Sequence, residues 1–474
     1  MLEKYRLGEI ATVEISGVDK KIKDGEVPVK LCNFVDVYYN WAITLDLEQK
    51  FMEATARTNE IERFKLKRGQ VALTKDSETR FDIGIATYIA DDFDNVILGY
   101  HNALITPNPE KLSGKYLNAL LHTDYARTYF ANNASGSGQR YALSVDALNN
   151  FPVPLIPLAE QERIGDIFSS IDQKIALNRA INDNLEVMAK QLYDYWFVQF
   201  DFPNEEGKPH KSSGGKMIWN EKLKREIPEG WGDAKIKDIA NTYSGGTPTS
   251  TNQDYYIGGK IPWINSGELN NPVITETSKY ITDLGLKNSS AKLYPQNTIL
   301  VALYGATAGK VSLLSFEACS NQAVCGVMPT DDNMTTYIRY HLASLYEHFI
   351  ILSSGSARDN ISQDTIKNTI LPIPRIEILK KYEDIVKPIV DKIIANQKEV
   401  ENLTKQRDEL LPLLMNGQVL VNYHLYVPLY IDSLILNYTL NARLYERNIF
   451  RRCNPPIGVQ FYSRANHNGS RDSR

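Results

Sequence analysis

The sequence predicts an α+β chain built twice, with two duplicated globular domains separated by two long helices that form a coiled coil. Three observations predict it. Matched residues recur at a spacing near 218, as in Ser144/Ser362, Asp146/Asp364 and Asn178/Asn396, a period too long for a solenoid and suited to a duplicated domain pair. Each copy ends in an apolar repeat stepping by three and four residues, the seam of a coiled coil. Before each seam, short strand patterns precede a helical one.

Residues 1–158 form the first domain. KLKRGQVALTKD (65–76) and NVILGYHNALITP (95–107) read as strands with turns, and 112–133 reads as one helix. GSGQRYALSVD (136–146) then leads into the Pro-rich FPVPLIPLAEQ (151–161). Ser144 reads as the N-cap of a short helix, its hydroxyl accepting from an otherwise unpaired backbone N–H. The central helix, 159–200, carries Ile164, Ile167, Ile171, Ile175, Asn178, Ile181, Leu185, Met188, Leu192 and Tyr195, with one irregular step. It ends in the aromatic run Tyr193, Tyr195, Trp196, Phe197 and Phe200, which suits core packing with part left over for a partner.

Residues 201–231 are rich in Gly, Pro, Ser and charge and read as a linker. The second domain, 232–374, repeats the plan with strands at 297–305 and 310–316, a helix at 335–352, the echo GSARDNISQD (355–364) and ILPIPRIE (370–377), with Ser362 as the matching N-cap. The C-terminal helix, 375–419, has the regular seam Val386, Ile389, Ile393, Asn396, Val400, Leu403, Arg407, Leu410 and Leu414. About 30 helical residues span about 45 Å, and their apolar stripe needs a partner, for which the other copy is the simplest candidate. Asn178 and Asn396 fall at equivalent seam positions; two readings stand, a register-fixing polar contact or a solvent-facing amide. The tail, 420–474, differs in kind. It has seven Arg and no Lys, whereas Lys outnumbers Arg 32 to 14 upstream. That shift suggests a separate origin, such as a change of reading frame, and partial disorder is expected.

Composition excludes several classes. With 53 Lys+Arg against 57 Asp+Glu the net charge is −4 and the pI about 6.1, which excludes a polybasic protein but not a DNA binder, since charge is free to gather on one face. No apolar run approaches a membrane span and the N-terminus lacks the apolar core of a signal peptide, so a cytoplasmic protein with no membrane partner is expected. The four cysteines form no CxxC pair and no HExxH occurs, so neither metal nor other cofactor is expected.

Catalytic motifs fail on inspection. Gly305–Gly309–Lys310 has three residues between its glycines where a phosphate loop needs four, and Val311 where Ser or Thr should follow the lysine. Asn454-Pro455-Pro456 precedes Ile457, which cannot stack on a flipped base as an aromatic would. The chain reads as a binder with no catalysis of its own.

Taken together, the junction at 136–164 with its AEQERI, the echo at 355–377, EEGKPHKSSGGKMIW…IPEGW (205–231), IPWINSGEL (261–269) and LLPLLMNGQV (410–419) resemble the specificity subunit of type I restriction–modification systems over roughly residues 1–420. The second junction departs by having Glu377-Ile378 in place of Glu160-Gln161, and the tail matches nothing in the family. The resemblance implies two target recognition domains, each reading one half of a split site in double-stranded DNA. It also implies antiparallel helices that space them and dock two modification subunits, which carry the methyl-transfer chemistry, with restriction (motor–nuclease) subunits completing the complex. A competing reading, from the bare pattern, is a non-catalytic coiled-coil scaffold with two protein- or glycan-binding lobes. Salt-dependent binding to a bipartite duplex separates the two.

Base edges are read by Arg, Lys, Asn, Gln and small polar side chains, and phosphates by Arg, Lys, Ser, Thr and Tyr. On that chemistry the first-domain candidates are Tyr38, Asn40, Lys75, Ser77, Thr79, Arg80, Asn102, Gln139 and Arg140, with Tyr39, His101, Ser135 and Ser137 beside them. Those of the second are Ser266, Tyr304, Thr307, Lys310, Asn321, Gln322, Ser356 and Arg358, with Ser354 beside them.

Overall fold

Duplication is visible strand by strand. A computed structural model describes residues 3–136, 140–354 and 360–415; the tail and the candidates Gln139, Ser356 and Arg358 lie outside them. The described chain forms two units, one reaching to Asn178 and resuming at Glu399, the other running from Arg179 to Lys398. Each unit holds one α+β lobe and a stretch of both long helices.

In the first unit a five-stranded sheet has the order Ala11–Ile15, Asn102–Pro107, Val71–Thr74, Ala86–Ile89, Ala42–Ile43. In the second unit the order is Ala240–Ser244, Val324–Pro329, Ile299–Ala302, Val311–Leu314, Val273–Ile274. The last pair is parallel in both, the others antiparallel. The central strands VALT and ILVA are buried throughout, as continuous apolar runs require. A second sheet repeats as well: Val27–Cys32 lies between antiparallel Met52–Ala56 and parallel Val96–Leu98, and Ile261–Ile264 between antiparallel Tyr280–Ile281 and parallel Cys319–Ser320. Each lobe closes where its first strand pairs with the strand before the long helix. Lys4–Arg6 meets Pro152–Pro154, and Gly232–Lys235 meets Ile370–Ile373.

The expected helices at 112–133 and 335–352 are each two helices, Gly114–Leu121 with Asp124–Asn133 and Thr335–Ser344 with Tyr346–Ser354. In the first pair Thr123 makes the break, its hydroxyl accepting from Ala126 N as an N-cap. The apolar pattern runs through both breaks and so hides them. Ser144 and Ser362 cap as expected, accepting from Ala147 N at 3.1 Å and Thr365 N at 3.0 Å.

The segment read as a linker is folded. Met217–Asn220 and Arg225–Pro228 form a hairpin, and Ile227 and Trp231 are buried in the second unit's core. Its Ser and Lys residues occupy exposed positions, which is why composition alone suggested a connector.

The long helices are Leu158–Tyr193, continued by a π turn at Asp194–Val198, and Ile376–Met415. Within each unit, residue numbers rise on one helix as they fall on the other, so the pairing is antiparallel. In the first unit Asn178 Nδ2 donates to Glu399 Oε2 at 2.9 Å, while Phe168 shares a core with Leu411. In the second, Asn396 Nδ2 donates to Asn182 Oδ1 at 3.0 Å, Asn182 Nδ2 donates to Ile393 O at 3.2 Å, and Trp196 packs 5.7 Å from Tyr382. Both seam asparagines are buried and paired, which decides between their two readings. In the first helix the seam shifts to Phe168, fully buried where Ile167 is only half-buried.

Two histidines at matching places tie the lobes to these helices. In the first unit His122 stacks on Trp41 at 4.3 Å and bonds Ala86 O at 3.0 Å, with the Arg407 guanidinium 5.2 Å from the Trp41 ring. In the second, His341 Nδ1 lies 2.8 Å from the Tyr193 hydroxyl. Burial, aided by the Arg407 charge, pushes His122 down to about 3, and burial with the Arg225 charge pushes His341 down to about 4. The unfolded chain then takes up protons before the folded one does. Stability is whole above about pH 6.5 and falls as pH drops toward 4, by at most about 1.4 kcal/mol per pH unit for each histidine. His122→Gln and His341→Gln should each flatten urea-derived stability across that window; an unchanged slope would refute the assignment.

Candidate nucleic-acid interface

In the first unit the chain leaves the central strand Val71–Thr74 at Lys75 and Asp76, and enters its neighbour Asn102–Pro107 from a tight turn at Tyr100-His101. His101 sits at φ 72°, a left-handed conformation uncommon outside glycine. Asp76-Ser77 continues as a short strand against Tyr141-Ala142, which in turn pairs with Ser135-Gly136. These segments, with Ile15-Ser16-Gly17, line an open cavity of about 680 Å³.

Asp76 lies at the bottom of it, buried, and gathers three partners. Lys75 Nζ lies 3.0 Å from its carboxylate, Arg140 Nη2 lies 3.3 Å away, and His101 Nδ1 makes a close contact. Arg140 Nη2 also lies against the His101 ring, 2.5 Å from Nδ1 and 3.1 Å from Nε2. A carboxylate can only accept, so we place the imidazole proton that faces it on Nδ1, and the Arg140 guanidinium packs against the ring. Burial by itself would raise the Asp76 carboxyl; the hydrogen bonds from His101 and Lys75 and the Lys75 and Arg140 charges outweigh it and hold the carboxyl below its usual range.

The other first-lobe candidates divide. Ser77, Thr79 and Arg80 form the adjoining turn, where Thr79 N donates to Ser77 Oγ at 3.2 Å and the Arg80 guanidinium lies 5.2 Å from the Tyr141 ring. Tyr38 donates to Asp82 at 2.8 Å, which brings the helix Phe34–Tyr39 to the same rim. Tyr39 and Phe81 stand out there, 76% and 82% exposed, where such rings are normally buried. The Asn40 amide is taken up by Asp36 O at 2.8 Å. Asn102 turns inward, fully buried, its amide donating to Gly99 O at 3.1 Å beneath the turn.

The second unit presents an edge at the same topological position. Tyr304 follows its central strand as Asp76 does, and bridges to Asn360 as Asp76 pairs with Ala142. The turn before Val324–Pro329 carries Asn321 and Gln322. Asn321 Nδ2 donates to Asn265 Oδ1 at 3.2 Å, and Gln322 contacts the Thr247 hydroxyl. Thr307 turns inward, its hydroxyl donating to the backbone oxygen of Ser266 at 2.9 Å. Lys310 stands apart. It bonds Asn270 at 2.5 Å and lines a separate cavity of about 770 Å³ that also includes Arg179, Asn182 and Glu186 of the first long helix.

Sequence reasoning passed over Asp76, Asp82 and Phe81. Asp76 stands beside Lys75, which made it look like half of a local ion pair, and its bond to Arg140 spans 64 residues. Glycines 305 and 309 sit in left-handed conformations in the turn between two antiparallel strands, in keeping with the rejected phosphate loop. Among the described residues no group of three His, Cys, Asp or Glu side chains gathers as metal ligands would. No described helix is long and apolar enough to cross a membrane.

Comparison with known proteins gives the edges a context. The family model for the type I restriction modification DNA specificity domain matches twice, at residues 2–187 and 228–405, most of the chain. The type I restriction enzyme HindI specificity subunit of Haemophilus influenzae is 26% identical over 396 residues, 72% of this chain and 85% of that one. The MjaIX specificity subunit of Methanocaldococcus jannaschii is 29% identical over 311 residues, 65% of this chain and 69% of that one. In fold, the S subunit of a type I restriction-modification system from M. genitalium superposes with a TM-score of 0.55 at 14% identity, over 87% of this chain and 96% of that one. Two lobes of one topology, each closed onto a long helix, are thus matched by two copies of one family model, and the chain belongs to the family of type I restriction–modification DNA specificity subunits.

Proposed function

We propose that each lobe reads one half of a bipartite target in double-stranded DNA, while the paired helices set the interval between the halves. The helices also dock two modification subunits, which carry the methyl-transfer chemistry that this chain does not perform, and restriction subunits join that assembly. The observation that carries this reading is the recurrence of a polar edge at one topological position in both units. The two edges differ in side chains: Lys75, Asp76, His101 and Arg140 in the first, Thr247, Tyr304, Asn321 and Gln322 in the second. A shared scaffold with divergent edges suits two half-sites of different sequence, since phosphate contacts position and base contacts specify.

The interval is the testable part. A four-residue insertion in each helix, after Asn178 and after Lys398, adds about 6 Å of helix, close to two base pairs at about 3.4 Å each. The unspecified spacer, measured by selecting duplexes from a random pool, should lengthen by one or two base pairs with both half-sites unchanged. Retained binding with the original spacer would show that the helices do not set the interval.

A further inference from the structure

The first lobe's edge contains an arginine whose charge is already partly spent. Arg140 is 59% exposed, yet its Nη2 is held by a carboxylate that is itself only 10% exposed. Asp76 can reach it because the strand pairing of Asp76-Ser77 with Tyr141-Ala142 fixes the backbone on both sides. His101, held in its left-handed turn, closes the third side. In the second lobe the place of Asp76 is taken by Tyr304, which carries no charge.

An arginine bound to a buried carboxylate is poorly suited to gripping phosphate. Its net attraction to the backbone is reduced, and backbone grip depends on unneutralised charge. It is well suited to reading a base edge. Guanidinium has five N–H donors in a rigid plane; Asp76 takes one Nη2 hydrogen, and the other Nη2 hydrogen still pairs with Nη1 or Nε as a two-donor edge. Fixing that plane before DNA arrives removes rotamer entropy that would otherwise be lost on binding. Arg140 lines the cavity, and a two-donor edge matches the O6 and N7 acceptors of guanine in the major groove.

We propose that Asp76 is a positioning residue of the first lobe, holding the Arg140 guanidinium to read a guanine in the half-site that this lobe recognises. The inference rests on the reading of the chain as a bipartite DNA reader. Asp76 touches no DNA itself and acts through Arg140.

The test uses the full-length chain with its modification subunits and a duplex selected by the wild-type complex from a random pool. If the wild-type complex selects no sequence, the functional reading fails and the inference, which rests on it, falls with it. If it does, each guanine of the first half-site is replaced in turn by 7-deazaguanine, which lacks the N7 acceptor. Wild type should lose about tenfold or more in affinity at one guanine. Asp76→Asn and Arg140→Lys should each abolish the penalty at that guanine and leave discrimination at the second half-site intact, which also reports folding. Asp76→Glu should restore part of it. The double variant Asp76→Asn/Arg140→Lys should bind the unmodified duplex no more weakly than Arg140→Lys alone. A normal penalty in Asp76→Asn, or an equal loss on every sequence, would overturn the proposal.

Discussion

Replacing Glu186 with alanine should destabilise the second unit by about 3 kcal/mol, near the low end of the cost of stranding a buried charge. Arg339 is 2% exposed, and its Nη2 meets Glu186 Oε1 at 2.9 Å and Oε2 at 3.1 Å. The same nitrogen donates to Pro272 O at 3.1 Å, and Nη1 to the Tyr340 hydroxyl at 3.1 Å. Without Glu186 the guanidinium keeps two neutral acceptors and loses its counter-charge in a site that burial has largely stripped of water. The Glu186 side chain is 29% exposed, so water entering from that side moderates the loss. Changing both partners, Glu186→Leu with Arg339→Met, should recover much of the stability because no charge is left stranded. Urea unfolding of the full chain reads both. If the single variant costs under about 1 kcal/mol, the pair behaves as a surface ion pair and the assignment is wrong.

Trp196→Ala should cost about 3–5 kcal/mol, the range for emptying a large aromatic site in a packed core. Trp196 is 1% exposed, in the π turn that ends the first helix, 6.2 Å from Phe197 and 5.7 Å from Tyr382. Phe197 itself lies edge-on to Tyr382 at 4.8 Å and near Tyr337 at 4.6 Å, so the hole cannot close without moving rings from both helices and the lobe. Trp196→Phe keeps most of the volume and should cost far less. Equal losses for the two variants in thermal unfolding would mean that the indole matters for something other than its bulk.

Much of this architecture was legible, and the reasons are physical. A seam repeating every 3.5 residues declares itself because burial on one helix face demands it, so Val386, Ile389, Ile393 and Val400 were found from spacing and are buried. The N-caps Ser144 and Ser362 were legible because capping is local chemistry. What stayed hidden depends on contacts between residues far apart in sequence. The hairpin at 217–228 has four-residue strands whose inward positions are diluted by charge. The break at Thr123 is masked by apolar residues on both sides. At the candidate interface the cationic members were visible from residue type alone. The carboxylate that organises them was not, because nothing near Asp76 announces that Arg140, 64 residues further along the chain, will arrive beside it. Asn102 and Thr307 look like binding residues by composition, yet each bonds the backbone beneath a turn, the habit of short polar side chains in loops.

The closing strands carry a last consequence. Each lobe begins and ends in one antiparallel pair, Lys4–Arg6 with Pro152–Pro154 and Gly232–Lys235 with Ile370–Ile373. Entry and exit therefore stand side by side. Everything between them can be exchanged as a cassette without shifting where the chain rejoins its long helix. Recombination between two such genes, with crossovers on either side of a lobe, would exchange that lobe whole, provided the incoming lobe keeps the helix contacts that Trp41 makes with Arg407 and Arg339 with Glu186. If each lobe reads one half-site, as proposed, such an exchange supplies a new half-site in a single genetic event.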